Sequence, residues 1–239
     1  MWLTNGAAAL VLVIDDIIWR LADFCWSFHL DTHWNTVRLV GDLEELLYHF
    51  PLASVISQQA HLAEQAHEAL FEYLGQIGSP GRRFWDTAAE LMYDEVGTHL
   101  GAMFVLLQVG ITETVSIVNN IYKLHGEKIR KSSILSLEAA TTVSGASYQE
   151  IANAAANYYK HRHEWPQNWA NATSQSKKTV ELISRIGMSE SKDLADNLYC
   201  AVGAITDRAN AKALPALVVE GWRMKLASKL RSDFLTALT

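Results

Sequence analysis

The chain has 239 residues, a formal net charge of −6 and a hydrophobic fraction of 49%, enough to bury a sizeable core in one domain. Thirteen Gly and four Pro are few breakers for that length, which argues against a turn-rich strand protein and for helices. The two cysteines, Cys25 and Cys200, lie far apart and form no CxxC pattern, which excludes a disulfide framework and predicts reduced thiols in a cytoplasmic protein.

Charge is unevenly spread. Residues 1–120 carry four basic side chains (Arg20, Arg38, Arg82, Arg83) against 15 acidic ones, and residues 121–239 carry 16 basic against 11 acidic. Such asymmetry fits halves that pack on each other, or a basic surface for an anionic partner. It places a possible acidic/basic subdivision near residue 126, but no flexible linker marks one. The expectation is a single all-helical domain over 1–239.

In chain order, Thr4 or Asn5 can cap a first helix over 6–28 with Leu10, Ile14, Ile17, Leu21, Phe24 and Phe28 on its apolar face. Its apolar run, Ala7 to Ile14, is too short to span a bilayer and follows no basic segment, so no membrane association is expected. Asp31 can cap a second helix to about His49. Pro51 opens a third to about Leu74, and Ile77 to Gly81 reads as a break. A fourth helix spans 84–108, with bends expected at Gly97 or Gly101. Thr112 caps a fifth that stops at Gly126. A sixth spans 127–143. Ser147 and Glu150 form a capping box that opens a seventh over 148–163, and Pro166 forbids continuation. After a polar loop at 168–176, helices follow at 177–186, 191–204 and 215–238. The sum is an all-α fold, one compact multi-helix domain of about eight to ten helices.

The densest polar-aromatic patch is Ala154 to Trp169, with Lys160, His161, Arg162, His163 and Glu164 in a row between Tyr158, Tyr159, Trp165 and Trp169. Spacing of three and four residues puts Asn157, Lys160, His161 and Glu164 on one helix face, with Tyr158 and Arg162 on a neighbouring one. A histidine beside cations is what metal-free RNA cleavage needs: one group removes the 2′-hydroxyl proton while cations offset charge building on phosphorus.

The run Asn157-Tyr158-Tyr159-Lys160-His161 resembles the core of the HEPN motif. HEPN proteins are all-α and usually dimeric, and many are ribonucleases of bacterial defence and toxin–antitoxin systems. The resemblance implies His161 as general acid/base, Asn157 as its orienting polar residue, and Lys160, Arg162 and Tyr158 as substrate-binding residues. It implies a metal-independent ribonuclease or RNA-binding protein without a cofactor, acting as a homodimer, with an antitoxin-like protein as a possible partner. The family's Arg position falls on Ala156, so phosphate binding passes to Lys160 and Arg162.

Three other patterns compete. His29 and His33 are four apart, but Asp31 between them reads as a cap. Glu64 and His67 have the E-x-x-H spacing of di-metal bundles without a second copy, and Glu95 with His99 is one residue too long, so no bound metal is expected. Ile183 to Leu198 has a helix-turn-helix look through Gly187 and Ser189, with Asp193 and Asp196 against it. The alternatives to the RNA reading are a non-enzymatic helical interaction protein and a DNA-binding regulator using residues 177–203.

Overall fold

The computed structural model describes residues 30–45, 52–77, 87–142 and 144–235. The helix expected over 6–28, with Cys25, lies outside the described residues, as do His29, Pro51 and the break at 78–81. Among the described residues the fold is all-α: α1 (30–45), α2 (Leu52–Ile77), α3 (Thr87–Leu124), α4 (Lys131–Ser136), α5 (Tyr148–His161), α6 (Ser174–Arg185), α7 (Leu194–Ile205) and α8 (Gly221–Phe234). No strand forms there beyond an isolated antiparallel bridge between Thr141 and Ser147.

The organising element is α3, a single helix of 38 residues where the sequence suggests two. The helix runs unbroken through Gly97 and Gly101, which let other elements approach. A Cβ on Gly101 would lie 2.1 Å from the Tyr159 ring, and one on Gly97 would lie 2.9 Å from Leu194. Thr112 caps nothing, because the helix runs through it, and Thr114 donates from Oγ1 to the Gly110 carbonyl at 2.7 Å. Among the described residues α3 is the one helix long and apolar enough to cross a membrane, but 44% of its most apolar stretch is buried within the protein. It packs on α2, α5 and α7. Its Val96, Leu100, Met103, Phe104, Leu107, Ile111, Val118 and Ile121 lie in a core that also takes Ile151, Ala155, Leu198, Val202 and Leu226 from beyond Gly126. Each fully buried Val, Leu, Ile, Met or Phe side chain among them contributes about 1.5–3 kcal/mol relative to exposure.

Other boundaries differ for local reasons. Asp31 lies inside α1 rather than capping it, since Leu30 is already helical. The helix expected over 127–143 shrinks to Lys131–Ser136, and Glu138 takes a left-handed φ of 53°. The helix expected from Pro215 does start there, with Leu214 and Pro215 already helical, and widens into a π turn, Ala216–Glu220, before α8. There the Val218 carbonyl accepts the buried Gln149 Nε2 at 2.7 Å, a bond from α5 into the widened turn. Two charged or polar side chains anchor the interior. Arg223 of α8 is fully buried and reaches Thr114 Oγ1 (2.7 Å), the Gly110 carbonyl (3.0 Å) and Glu113 Oε2 (3.0 Å) on α3. Asn197 of α7 accepts from the Ser189 N–H and donates to the Ser189 and Lys192 carbonyls and the Tyr158 hydroxyl.

Candidate functional site

The capping box fixes where α5 begins. Ser147 Oγ accepts the Glu150 N–H at 3.1 Å, and Glu150 Oε2 accepts the Ser147 N–H at 2.8 Å. That start sets the register of everything downstream. Ile151, Ala152, Ala155, Ala156 and Tyr158 turn inward, and Asn157, Lys160 and His161 turn outward or to the boundary. The α-helix ends at His161, and Arg162–Glu164 tighten into one 3₁₀ turn before Pro166.

That tightening closes the pair the spacing suggests. His161 Nδ1 lies 3.1 Å from Glu164 Oε1, with both side chains well exposed. The two line a cleft of about 250 Å³ with Asn157, Trp165 and Pro166. Its far wall is the first turns of α6, through Thr173, Ser176 and Thr179. An exposed carboxylate against one imidazole nitrogen orients the ring and leaves its other nitrogen for a substrate proton. The hydroxyls and the free N–H groups at the start of α6 suit an anionic oxygen.

Lys160 stands apart from the cleft, on the α3–α5 seam. Its Nζ donates to Gln108 Oε1 at 2.6 Å, and Gln108 Nε2 donates to Asn157 Oδ1 at 2.9 Å and Asn153 Oδ1 at 3.0 Å. Lys131 Nζ closes the row on Asn153 Oδ1 at 3.2 Å. Asn157 thus links two surfaces: the His161 cleft on one side, and amides bracketed by two lysines on the other.

Arg162 folds back, donating from Nη1 to the Tyr159 carbonyl at 2.9 Å, with its guanidinium carbon 5.3 Å from the Tyr159 ring centre. Tyr158 supports the cleft from beneath. Its ring is buried, its hydroxyl accepts Asn197 Nδ2 at 2.9 Å, and burial pushes the phenol above its usual range. It meets Trp165 edge-on at 5.5 Å and Trp169 at 5.9 Å. Ala156, where the HEPN resemblance would place an Arg, has no exposed surface, so no long side chain fits there.

Sequence reasoning missed Gln108 and Lys131, which come from other elements. It also missed Thr173, Ser176 and Thr179, although their spacing of three is a readable helical stripe once Thr173 is taken as the cap. The competing patterns resolve differently. Glu64 Oε2 pairs with Lys212 Nζ at 3.0 Å, and His67 packs its ring against Phe71 and Tyr199. Among the described residues no group of three or more His, Cys, Asp or Glu is placed to hold a metal. The segment 186–193 joins α6 to α7 over more than the three or four residues of a helix-turn-helix turn, and both helices pack on α5. The chain matches no protein-family model, no curated protein and no solved structure.

Proposed function

We propose that the protein is a HEPN-like, RNA-binding helical protein, cytoplasmic and homodimeric, that holds an RNA backbone across the end of α5. In this reading Lys160 and Lys131 hold one phosphate over the amide row, and the start of α6 receives the next. His161, oriented by Glu164, is the group that can take a 2′-hydroxyl proton without a metal. The observation that carries the reading is that Asn157, His161 and Glu164 share one cleft whose other wall is the start of a helix. Arg162, turned onto Tyr159, contributes position rather than direct phosphate contact, and Tyr158 acts by holding Trp165 in place.

The reading is tested with a fluorescent single-stranded RNA at low and moderate salt. Wild-type protein is expected to bind, with affinity falling as salt rises. Lys160→Ala and Lys131→Ala each flatten that salt dependence by about one phosphate contact. His161→Ala is expected to keep the fold and binding and to remove any cleavage. A folded wild-type protein that neither binds nor cuts RNA at low salt overturns the reading and leaves the non-enzymatic interaction protein. The DNA-binding alternative has less support. Ala195, Asn197, Leu198, Ala201, Val202 and Ile205 of the would-be recognition helix are buried, which leaves little of it to enter a groove.

A further inference from the structure

A second cavity, of about 300 Å³, opens between α2, α7 and the 3₁₀ segment Arg208–Ala213. One wall is a stripe of α2: Ala60, Ala63, Glu64, His67 and Glu68. The spacing of three and four puts these side chains on one helical face. Leu100 of α3 is its buried floor. The facing wall brings Arg208, Lys212 and the Tyr199 ring. Alanines on both walls leave the space open, because a longer side chain at Ala60, Ala63 or Ala211 would fill it. The volume sits at the small end of the range for small-molecule sites, about 300–1,000 Å³.

The charges sort into a paired and an unpaired set. Glu64 and Lys212 bridge the walls at 3.0 Å and neutralise each other. Arg208 sits with its guanidinium carbon 5.9 Å from the centre of the Tyr199 ring, and among the described residues no carboxylate stands within ion-pair distance of it. Glu68, on the α2 wall, likewise has no cation at ion-pair distance among the described residues. An arginine held by stacking, with its fork free, is preorganised for a carboxylate. A lone carboxylate across an apolar floor suits an ammonium.

We propose that this cavity binds a free aliphatic α-amino acid. Its carboxylate meets Arg208, its ammonium meets Glu68, and its side chain lies on Ala60, Ala63 and Leu100. A dianion would leave Glu68 repelling it, and a plain cation would leave Arg208 unused. The balance of one free charge of each sign therefore selects a zwitterion. The inference does not rest on the RNA reading, since none of these residues lines the His161 cleft.

The test is titration calorimetry on the full chain with L-valine, L-leucine and L-methionine, and with two leucine analogues that each lack one charge, 4-methylpentanoate and isoamylamine. At least one amino acid is expected to bind saturably. Each analogue is expected to bind at least about tenfold more weakly, as loss of one charge-assisted contact implies. Arg208→Gln and Glu68→Gln change exposed side chains and are expected to keep the helical circular dichroism while weakening binding by a similar factor. Ala211→Leu is expected to block it by filling the cavity. The proposal is overturned if none of the three amino acids binds, if 4-methylpentanoate binds as tightly as L-leucine, or if Arg208→Gln binds as wild type.

Discussion

The seam between α3 and α8 and the end of α5 both set a basic side chain against a carboxylate, and they use the contact in opposite ways. Arg223 has no exposed surface, and every bond given above for it goes to α3, where Thr114, Gly110 and Glu113 hold it at 2.7–3.0 Å. Burial lowers the pKa of its guanidinium, opposed by the bond to Glu113. His161 and Glu164 are exposed, local and three residues apart. A buried ion that loses its partners has nowhere to go, so it fixes geometry. An exposed pair costs little to form and little to break, so it can exchange partners with a ligand. Where burial is complete, polar groups here do architecture; where it is not, they remain available for chemistry.

The strongest way to break that contrast is to put a charge where the fold has no room. Placing an arginine where the HEPN resemblance puts one, by Ala156→Arg, buries an unpaired guanidinium at a position with no exposed surface. The expected loss is more than about 4 kcal/mol, enough to prevent folding in many domains. A soluble, helical and thermally stable Ala156→Arg protein would show that α5 can shift outward, and would reopen the full HEPN motif. Next in size, Arg223→Ala leaves a cavity in place of a buried side chain and takes one donor each from Thr114 Oγ1 and the Gly110 carbonyl, which keep their bond to each other. A loss of about 2–4 kcal/mol in chemical denaturation is expected. A loss below about 1 kcal/mol would mean the half-exposed Glu113 and water replace the network at no penalty.

A third change probes the contact that positions the site. Gly101→Ala forces a methyl into the space of the Tyr159 ring, which lies 2.1 Å from the ideal Cβ. The Tyr159 ring must move, and it is the ring that the Arg162 guanidinium lies beside. The expected destabilisation is about 1–3 kcal/mol, read by thermal unfolding. An unchanged melting temperature would show that the seam is loosely packed there.

The same contact explains what could be read from the sequence and what could not. The start of α5 was legible because its signal is local: Ser147 and Glu150 satisfy each other within one turn. The turns at Gly126 and Gly187 were legible for a similar reason, both adopting positive φ, at 76° and 88°. Helical spacing pointed to the convergence of Asn157, His161 and Glu164, but it grouped Lys160 with them and did not show the 3₁₀ turn that brings Glu164 to His161. The unbroken length of α3 was not legible, because Thr112 reads as a helix cap until the helix is seen to run through it. Nor could spacing show that Lys160 reaches Gln108, 52 positions away, or that Arg162 turns back on its own helix. Long-range partners decide whether a cation is free, and a single chain does not print them.

At the exposed end of the contrast, His161→Ala is expected to cost less than about 1 kcal/mol, because the pair it breaks is solvated. A larger loss would move His161 from the chemistry to the architecture. The smallest effect concerns the exposed bridge from α2, Glu64 to Lys212. The Lys212 ammonium holds the Glu64 carboxyl below its ordinary value, with His61 adding to the effect. A carboxyl lowered in the folded state contributes stability that is present above its unfolded pKa. That contribution is lost as pH falls through the folded one. The bridge between α2 and the 208–213 turn should therefore hold near neutrality and open in acid, below the usual carboxylate range. In an NMR titration, Lys212→Met is expected to move the Glu64 midpoint up toward the ordinary carboxylate value, while His61→Ala moves it less, since Lys212 is the larger cause. A Glu64 midpoint unchanged by Lys212→Met would mean that the two side chains rarely meet in solution, and that the wall of the amino-acid cavity is set by packing alone.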